Sequence, residues 1–288
     1  MKKINGQEIA GKIIANLKSE PVPKKILAAI LVDSTNSPQV GSNLSFLKQK
    51  EKLAKELGVD FRLYQFPEAI KNDDLRKEVN KIASLKKVGG VIVQLPLPEH
   101  LNKHYILNAI PREKDVDVLG ERALGSSYAG RNPVLPPAVG VVEEIVNATG
   151  FMLHASRVAV VGLGFLVGKP IATWLMGNPS TKLGARCPEI HLLDEGSDLS
   201  ILKQADLVIS GVGKANLFSA EDLRENATVI DFGYNMSNGK IYGDFNPPNE
   251  ANKLKAITYT PTPAGTGPIL VAKIFENFYK LNLNNGKY

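Results

Sequence analysis

Cysteine is almost missing from this chain: Cys187 stands alone among 288 residues, which excludes an intrachain disulfide and argues against a cysteine-built zinc site. Long apolar runs are missing too. The longest, Ile26 to Val32, is far shorter than the roughly 20 residues that cross a bilayer. No dense basic run occurs. The 35 lysines and arginines against 29 acids leave a net charge of +6, a mild attraction for anions without the concentrated patch that nucleic acid requires. HExxH, GxSxG and P-loop motifs are all lacking, against a zinc protease, a typical esterase and a P-loop ATPase. The four histidines, His100, His104, His154 and His191, fall into no metal-ligand spacing, so no metal site is expected. Near the start, Gln7 and Glu8 interrupt the sequence before an apolar signal core can form. A cytoplasmic protein without membrane or nucleic-acid partners is expected.

What is present is ordinary globular material, 43% hydrophobic and 22% charged, and the length suggests two domains at about 150 residues each. Short apolar runs alternate with amphipathic stretches: strands at 26–32, 59–64 and 89–94, and helices at 43–57 and 73–85. That alternation predicts a parallel α/β sheet. A glycine-, serine- and proline-rich stretch at 126–137 marks the domain boundary. A second α/β series follows, with strands at 157–162, 189–193, 205–210 and 227–233, and a hairpin at Asn238-Gly239. Residues 1–138 are expected to form the first domain and 139–268 the second, with a closing helix within 269–288 returning to the first.

Directly after the apolar run Val158 to Val161 comes Gly162-Leu163-Gly164-Phe165-Leu166-Val167-Gly168. The spacing is one residue longer than the usual dinucleotide fingerprint, but the strand before it and the helix after it let backbone amides approach a pyrophosphate. A tight turn that binds nothing is the alternative. Asp194 closes the next strand, beyond an apparent insertion at 178–188. A carboxylate there would accept ribose hydroxyls and disfavour a 2′-phosphate, or would simply cap the next helix.

Lys50 shares one helical face with Phe46, Leu53 and Leu57, where a core leucine would normally sit. Burial there would lower its pKa toward a proton-exchanging range, unless the side chain snorkels to water. Gln94 ends an apolar strand and precedes Leu95-Pro96-Leu97-Pro98, a restricted backbone with an apolar surface for a ligand. In Lys114-Asp115-Val116-Asp117-Val118 the alternation would put both aspartates on one side of a strand. Paired carboxylates can bind a metal, share a proton or receive hydrogen bonds from an amino-heterocycle, and the last needs the fewest further residues.

These segments resemble the bifunctional methylenetetrahydrofolate dehydrogenase and methenyltetrahydrofolate cyclohydrolase family. So do Ile4-Asn5-Gly6, Gly211-Val212-Gly213-Lys214, Val229-Ile230-Asp231-Phe232-Gly233, Gly243-Asp244 and Thr260-Pro261-Thr262-Pro263-Ala264-Gly265-Thr266-Gly267-Pro268. The motifs occur in family order over nearly the whole chain. The resemblance implies a three-layer α/β catalytic domain and a Rossmann domain with the active cleft between them, in a homodimer. It implies hydride transfer from methylenetetrahydrofolate to a nicotinamide cofactor, commonly NADP, and hydrolysis of the methenyl product to 10-formyltetrahydrofolate.

Carried over residue by residue, the resemblance makes Lys50 the proton-transfer group, Gln94 its neighbour and Asp117 the pterin anchor. Phe46, the 95–98 segment, Pro263, Gly265 and Gly267 would shape the folate side. The 162–168 loop, Asp194, Gly211, Val212, Gly213 and Asp231 would lie toward the cofactor.

Departures from the family bear on the details. Phe46 replaces a family tyrosine, which allows a dehydrogenase with little cyclohydrolase activity as an alternative. A noncatalytic folate- or nucleotide-binding regulator is a further one. Val118 stands where glycine normally follows the second aspartate, and Asp194 leaves NAD as well as NADP in play.

Overall fold

A computed structural model describes residues 1–33, 40–177, 189–237, 239–248 and 256–283, with only the backbone of 40–44. In chain order the elements are β1 (Lys2–Lys3), α1 (Gly6–Ser19), β2 (Ile26–Val32), α2 (Val40–Leu57), β3 (Asp60–Phe66), α3 (Asn72–Ser84) and β4 (Val88–Val93). There follow α4 (Lys103–Leu107), α5 (Glu121–Tyr128), α6 (Pro137–Thr149), β5 (Arg157–Val161), α7 (Gly168–Leu175), β6 (Glu189–Leu193) and β7 (Leu207–Ser210). The last described are β8 (Phe218–Ser219), β9 (Thr228–Asp231), β10 (Asn235–Ser237), β11 (Lys240–Tyr242), β12 (Phe245–Asn246), β13 (Thr258–Tyr259) and α8 (Thr266–Leu283). They fall into two compact units.

One unit comprises residues 13–137 and the chain from Val271 onward. Its sheet is parallel, in the order β3-β2-β4. The central strand β2, Ile-Leu-Ala-Ala-Ile-Leu-Val, is buried at every position, as a strand covered on both faces requires. In β4, Gly90 makes room for α8: a side chain there would come within 2.8 Å of Phe278 and of Val116. Helix α8 is also tied down by polar bonds. Asn277 donates to the carbonyls of Val116 and Leu135, both at 2.8 Å, and Asn282 donates to that of Gly89 at 3.1 Å.

The other unit comprises residues 1–12 and 138–270. Its main sheet has six strands in the order β1-β13-β9-β7-β5-β6, every neighbouring pair parallel. After β1, the chain re-enters the sheet at β5, goes out to β6 and returns on the other side to β7, so the topological switch lies between β5 and β7. Residues 1–12, expected in the first domain, group here because β1 pairs with β13 at the opposite edge. Aliphatic residues of β5, β7 and β9 pack with Phe218, Phe245 and Tyr259 to form its core.

Two expectations need correction. Residues 114–118 are not a strand: 112–114 form one turn of 3-10 helix, and only Asp115 makes a parallel bridge, to Val91. Helix α2 begins at Val40, ahead of the expected start at 43, while 34–39 lie outside the described residues. So do the insertion at 178–188, with Lys182, Arg186 and Cys187, and the hairpin residue Asn238, on whose two sides β10 and β11 pair antiparallel.

Candidate active site

Helix α2 brings Lys50 into the interior of the first unit. Lys50, Leu53 and Leu57 are all buried, and Phe46 half-buried. The lysine does not snorkel. Only 6% exposed, it directs Nζ inward to donate to Gln94 Oε1 at 3.0 Å. Gln94 is held in turn by its backbone N–H on the Ile30 carbonyl at 2.9 Å and by Nε2 on the Leu95 carbonyl at 3.2 Å. The amide nitrogen is thereby committed, and the oxygen faces the lysine. Burial pushes the Lys50 amine below its ordinary pKa, and the nearby Asp117 charge pulls it partly back. Burial pushes Asp117 up while Lys50 opposes. Both groups are driven toward their neutral forms.

The two aspartates read as a pair have different environments. Asp115 is 1% exposed and its Oδ2 accepts from Leu119 N at 2.9 Å and Gly120 N at 2.7 Å, fixing the entry to α5. Asp117 is half-buried and interacts electrostatically with Lys50. The turn that separates them places Val118 at φ 56°, a left-handed conformation that a β-branched residue adopts at a cost of ~1–3 kcal/mol. Val118 is fully buried, so packing holds it there. Beside this cluster, the segment after β4 leaves Leu95, Leu97 and Pro98 half-buried and Pro96 exposed.

In the second unit the glycine loop leads from the end of β5 into α7. Gly162 takes φ 85°, and a side chain on Gly168 would lie 1.8 Å from the Gly162 carbonyl oxygen, so the loop closes only with glycine at both ends. Gly164 is exposed, and a side chain there would meet no atom within 4 Å. Phe165 and Val167 are half-buried and Leu166 exposed. Gly162 N donates to Leu193 O at 2.8 Å, which sets Asp194, exposed at the end of β6, next to this loop. Across the switch point, Gly211, Val212 and Gly213 follow β7. Gly211 packs against Val167, and Val212 is 46% exposed.

Asp231, expected toward the cofactor, is occupied by backbone donors. It is 2% exposed, and its two oxygens accept from Gly233 N at 2.7 Å and Phe245 N at 3.0 Å. Burial, with the Asp244 charge nearby, pushes its pKa up to about 7. Among the 260–268 residues, Gly265 is buried and abuts Gly6, Pro263 and Ala264 are exposed, and Gly267 sits in the first turn of α8.

A stability effect follows from the buried acids. Asp231 and Asp115, the latter pushed up to about 6, keep protons in the folded chain that the unfolded chain, at 3.8, has lost. The folded state binds more protons in this window, so stability falls as pH rises from about 4 to about 7. The melting temperature is expected to be lower at neutral pH than near pH 5, and Asp231→Asn should flatten the slope. A melting temperature that climbs across this interval would contradict the assignment.

Gly243-Asp244 and Thr260 stand among the family-like segments, but sequence reading gives no site role to Asp244, Ser210 or Thr260. Asp244 is fully buried and accepts four hydrogen bonds, and Thr260 Oγ1 accepts from Asp231 N at 2.8 Å. The signal was an acid directly after a glycine, Gly243, at which a side chain would strike Asp231. Among the described residues, no cluster of three His, Cys, Asp or Glu suited to a metal occurs, and no helix is long and apolar enough to cross a membrane.

A parallel sheet with a glycine-turned helix at its switch point, open space over Gly164 and an acid at the adjacent strand end defines a dinucleotide-binding α/β protein. Those residues fit a nicotinamide dinucleotide, and the other unit carries a buried lysine suited to proton transfer. The chain belongs to the tetrahydrofolate dehydrogenase/cyclohydrolase family: residues 4–117 match its catalytic domain and residues 136–285 its NAD(P)-binding domain. It is 32% identical to the bifunctional protein FolD of Mycoplasmopsis synoviae, covering 98% of this chain and 99% of that one. It is 30% identical to the FolD of Clostridium botulinum (strain Alaska E43 / Type E3), over 95% of each. The crystal structure of the Campylobacter jejuni FolD methylenetetrahydrofolate dehydrogenase/cyclohydrolase superposes with a TM-score of 0.85 at 30% identity, covering 97% of this chain and 98% of that one.

Proposed function

We propose that this chain oxidises 5,10-methylenetetrahydrofolate with a nicotinamide cofactor and hydrolyses the resulting methenyl cation to 10-formyltetrahydrofolate, with Lys50, Gln94 and Asp117 as its catalytic residues. The observation that carries the second step is the buried Lys50 amine on Gln94 Oε1. An ammonium would repel the cation, whereas a neutral amine takes a proton from water as its oxygen bonds to the methenyl carbon. The ammonium so formed returns that proton to the ring nitrogen as its bond to carbon breaks. The hydroxyl proton leaves to solvent, and the carbon–oxygen double bond forms. Gln94 fixes the amine's position, and Asp117 accepts hydrogen bonds from the pterin.

When bound, the nicotinamide supplies the hydride acceptor. Gly162, Gly164 and Gly168 let the backbone approach its pyrophosphate, and Phe165, Leu166, Val167, Gly211, Val212 and Gly213 wall the crevice. Leu95, Pro96, Leu97, Pro98, Phe46, Pro263, Gly265 and Gly267 are assigned to the folate side. The residue at 46 lacks the family hydroxyl, but the Lys50–Gln94 bond is made without it. By family habit we read the chain as a cytoplasmic homodimer.

Separate assays test the proposal: reduced cofactor should form from methylenetetrahydrofolate, and methenyltetrahydrofolate should disappear faster than without enzyme. Absence of either activity would remove the corresponding half.

NADP is the family's usual cofactor, whereas Asp194 beside the glycine loop favours the unphosphorylated ribose of NAD. We therefore expect appreciable use of NAD. Asp194→Ser should shift the ratio of kcat/KM values toward NADP by roughly tenfold, the effect of ~1.4 kcal/mol, at matched ionic strength. An unchanged ratio would place Asp194 outside the discriminating pocket.

A further inference from the structure

The Gly211–Lys214 loop has no helix or strand of its own to set its shape. It leaves β7 at Ser210, the last strand residue, and crosses the carboxyl edge of the sheet at the switch point. Gly211 N still donates to the Val161 carbonyl at 2.9 Å, and Asn235 Nδ2 donates to the Gly213 carbonyl at 3.2 Å, but the amides of 212–214 are all held by one side chain from a distant part of the sequence. Asp244 Oδ2 accepts from Ser210 Oγ at 2.6 Å and from Val212 N at 2.8 Å, and Oδ1 accepts from Gly213 N at 2.8 Å and Lys214 N at 2.9 Å. Three consecutive backbone amides thus converge on one carboxylate that is 0% exposed. An anion surrounded by four donors is the arrangement that makes a buried charge tolerable and its hydrogen bonds strong.

The rest of the sequence makes space for this carboxylate and leaves it little freedom. A side chain on Gly233 would meet Asp244 Oδ1 at 2.3 Å, so the chain after β9 must pass it bare. Asp231, on the other side, takes its own hydrogen bonds from Gly233 N and Phe245 N and so fixes the segment that carries Asp244. The Asp244 main chain also bonds the following segment: its carbonyl accepts from Phe218 N at 3.2 Å, while the Gly243 carbonyl accepts from Asn216 N at 3.0 Å. The loop is therefore clamped at both ends. Its exposed side chains, Val212 and Lys214, are left on the outer surface, while Gly211 stays against Val167 of the glycine loop.

We propose that Asp244 is a positioning residue for the dehydrogenase step, holding the Gly211–Lys214 loop in the shape that receives the nicotinamide dinucleotide. The inference rests on the reading of the β5/β7 crevice as the cofactor site. Asp244 itself touches no ligand. Its effect reaches the reaction through the backbone of residues 211–214, and it has no part in hydrolysing the methenyl cation, for which Lys50 and Gln94 are the working groups.

The two activities provide a built-in control, because hydrolysis of methenyltetrahydrofolate requires no hydride transfer to a nicotinamide. In Asp244→Asn the Oδ1 acceptor is kept, but an N–H group faces the Val212 N–H donor, so the loop loses its hold on one side. The expected result is a rise of roughly tenfold or more in the KM for NAD or NADP, with the KM for folate and the cyclohydrolase rate within about twofold of the parent. Ser210→Ala removes one donor and leaves the three amide bonds. It should give the same split at a smaller size, about threefold, and decides the matter if Asp244→Asn does not fold.

Gly164→Val, which fills the open space of the glycine loop, separates the inference from the reading beneath it. A raised cofactor KM in Gly164→Val and in the Asp244 or Ser210 variant supports both. A raised value in Gly164→Val alone overturns the role of Asp244. No change in any of the three overturns the crevice as the cofactor site and the inference with it. Equal loss of dehydrogenase and cyclohydrolase in soluble Asp244→Asn, accompanied by a lower melting temperature, would show a general structural role and also overturn the proposal.

Discussion

Lys50→Met is expected to reduce hydrolysis of methenyltetrahydrofolate by a factor on the order of 10²–10⁴, the usual contribution of a positioned general base. Methionine keeps the unbranched stem between Leu53 and the interior but carries no exchangeable proton. The fold should survive the change. A buried amine with an unfavourable desolvation energy is replaced by an apolar group of similar length, and the main loss is the hydrogen bond to Gln94 Oε1. The melting temperature should therefore move by no more than about 5 °C, and cofactor affinity should be unaltered. The rate is to be corrected for uncatalysed hydrolysis. A corrected rate equal to that of the parent would remove Lys50 from the mechanism.

Asp117→Ala should weaken both activities, because an anchor for the pterin serves hydride transfer and hydrolysis alike. A carboxylate can accept two hydrogen bonds from adjacent ring N–H donors, each worth ~1.5–3 kcal/mol when the acceptor is charged. The folate dissociation constant is expected to rise by roughly two orders of magnitude, read by calorimetry in the absence of cofactor. Burial lifts the Asp117 pKa, and Lys50 opposes that rise, so a folate bringing further donors would complete the stabilisation of the anion. Added divalent cations should restore neither affinity nor activity. Unchanged folate affinity in the variant would show that the pterin is held elsewhere.

Some of this was legible from residue types alone. The seven-residue apolar run of β2 reads as a buried strand, and the lysine among Phe46, Leu53 and Leu57 had to be either buried or snorkelling. Periodicity could not choose between those two, since the choice depends on whether a partner waits in the interior. Gln94, 44 residues away, is that partner. Helix α1 was overlooked although Ile9, Ile13 and Leu17 recur every four residues and are all buried.

The alternation in Lys114-Asp115-Val116-Asp117 is that of a strand, which the fold does not form there. The left-handed turn at Val118 and the amides of Leu119 and Gly120 separate the roles of the two aspartates, and a valine in that position gives no sequence signal for positive φ. Asp231 and Asp244 illustrate the same limit. Each lies beside glycines in a family-like segment, yet which carboxylate faces a ligand and which holds a loop is decided by backbone donors brought from remote parts of the chain.

The most direct measurement is the protonation state of Lys50 itself, followed by nitrogen NMR on protein labelled at the lysine side-chain nitrogens, with the Lys50→Met spectrum identifying the signal. The Lys50 amine should lose its proton well below the ordinary lysine value of 10.5, and lower still in Asp117→Asn, where the carboxylate that pulls it upward is gone. A Lys50 signal that titrates together with the surface lysines would contradict a neutral, buried base at the centre of this site.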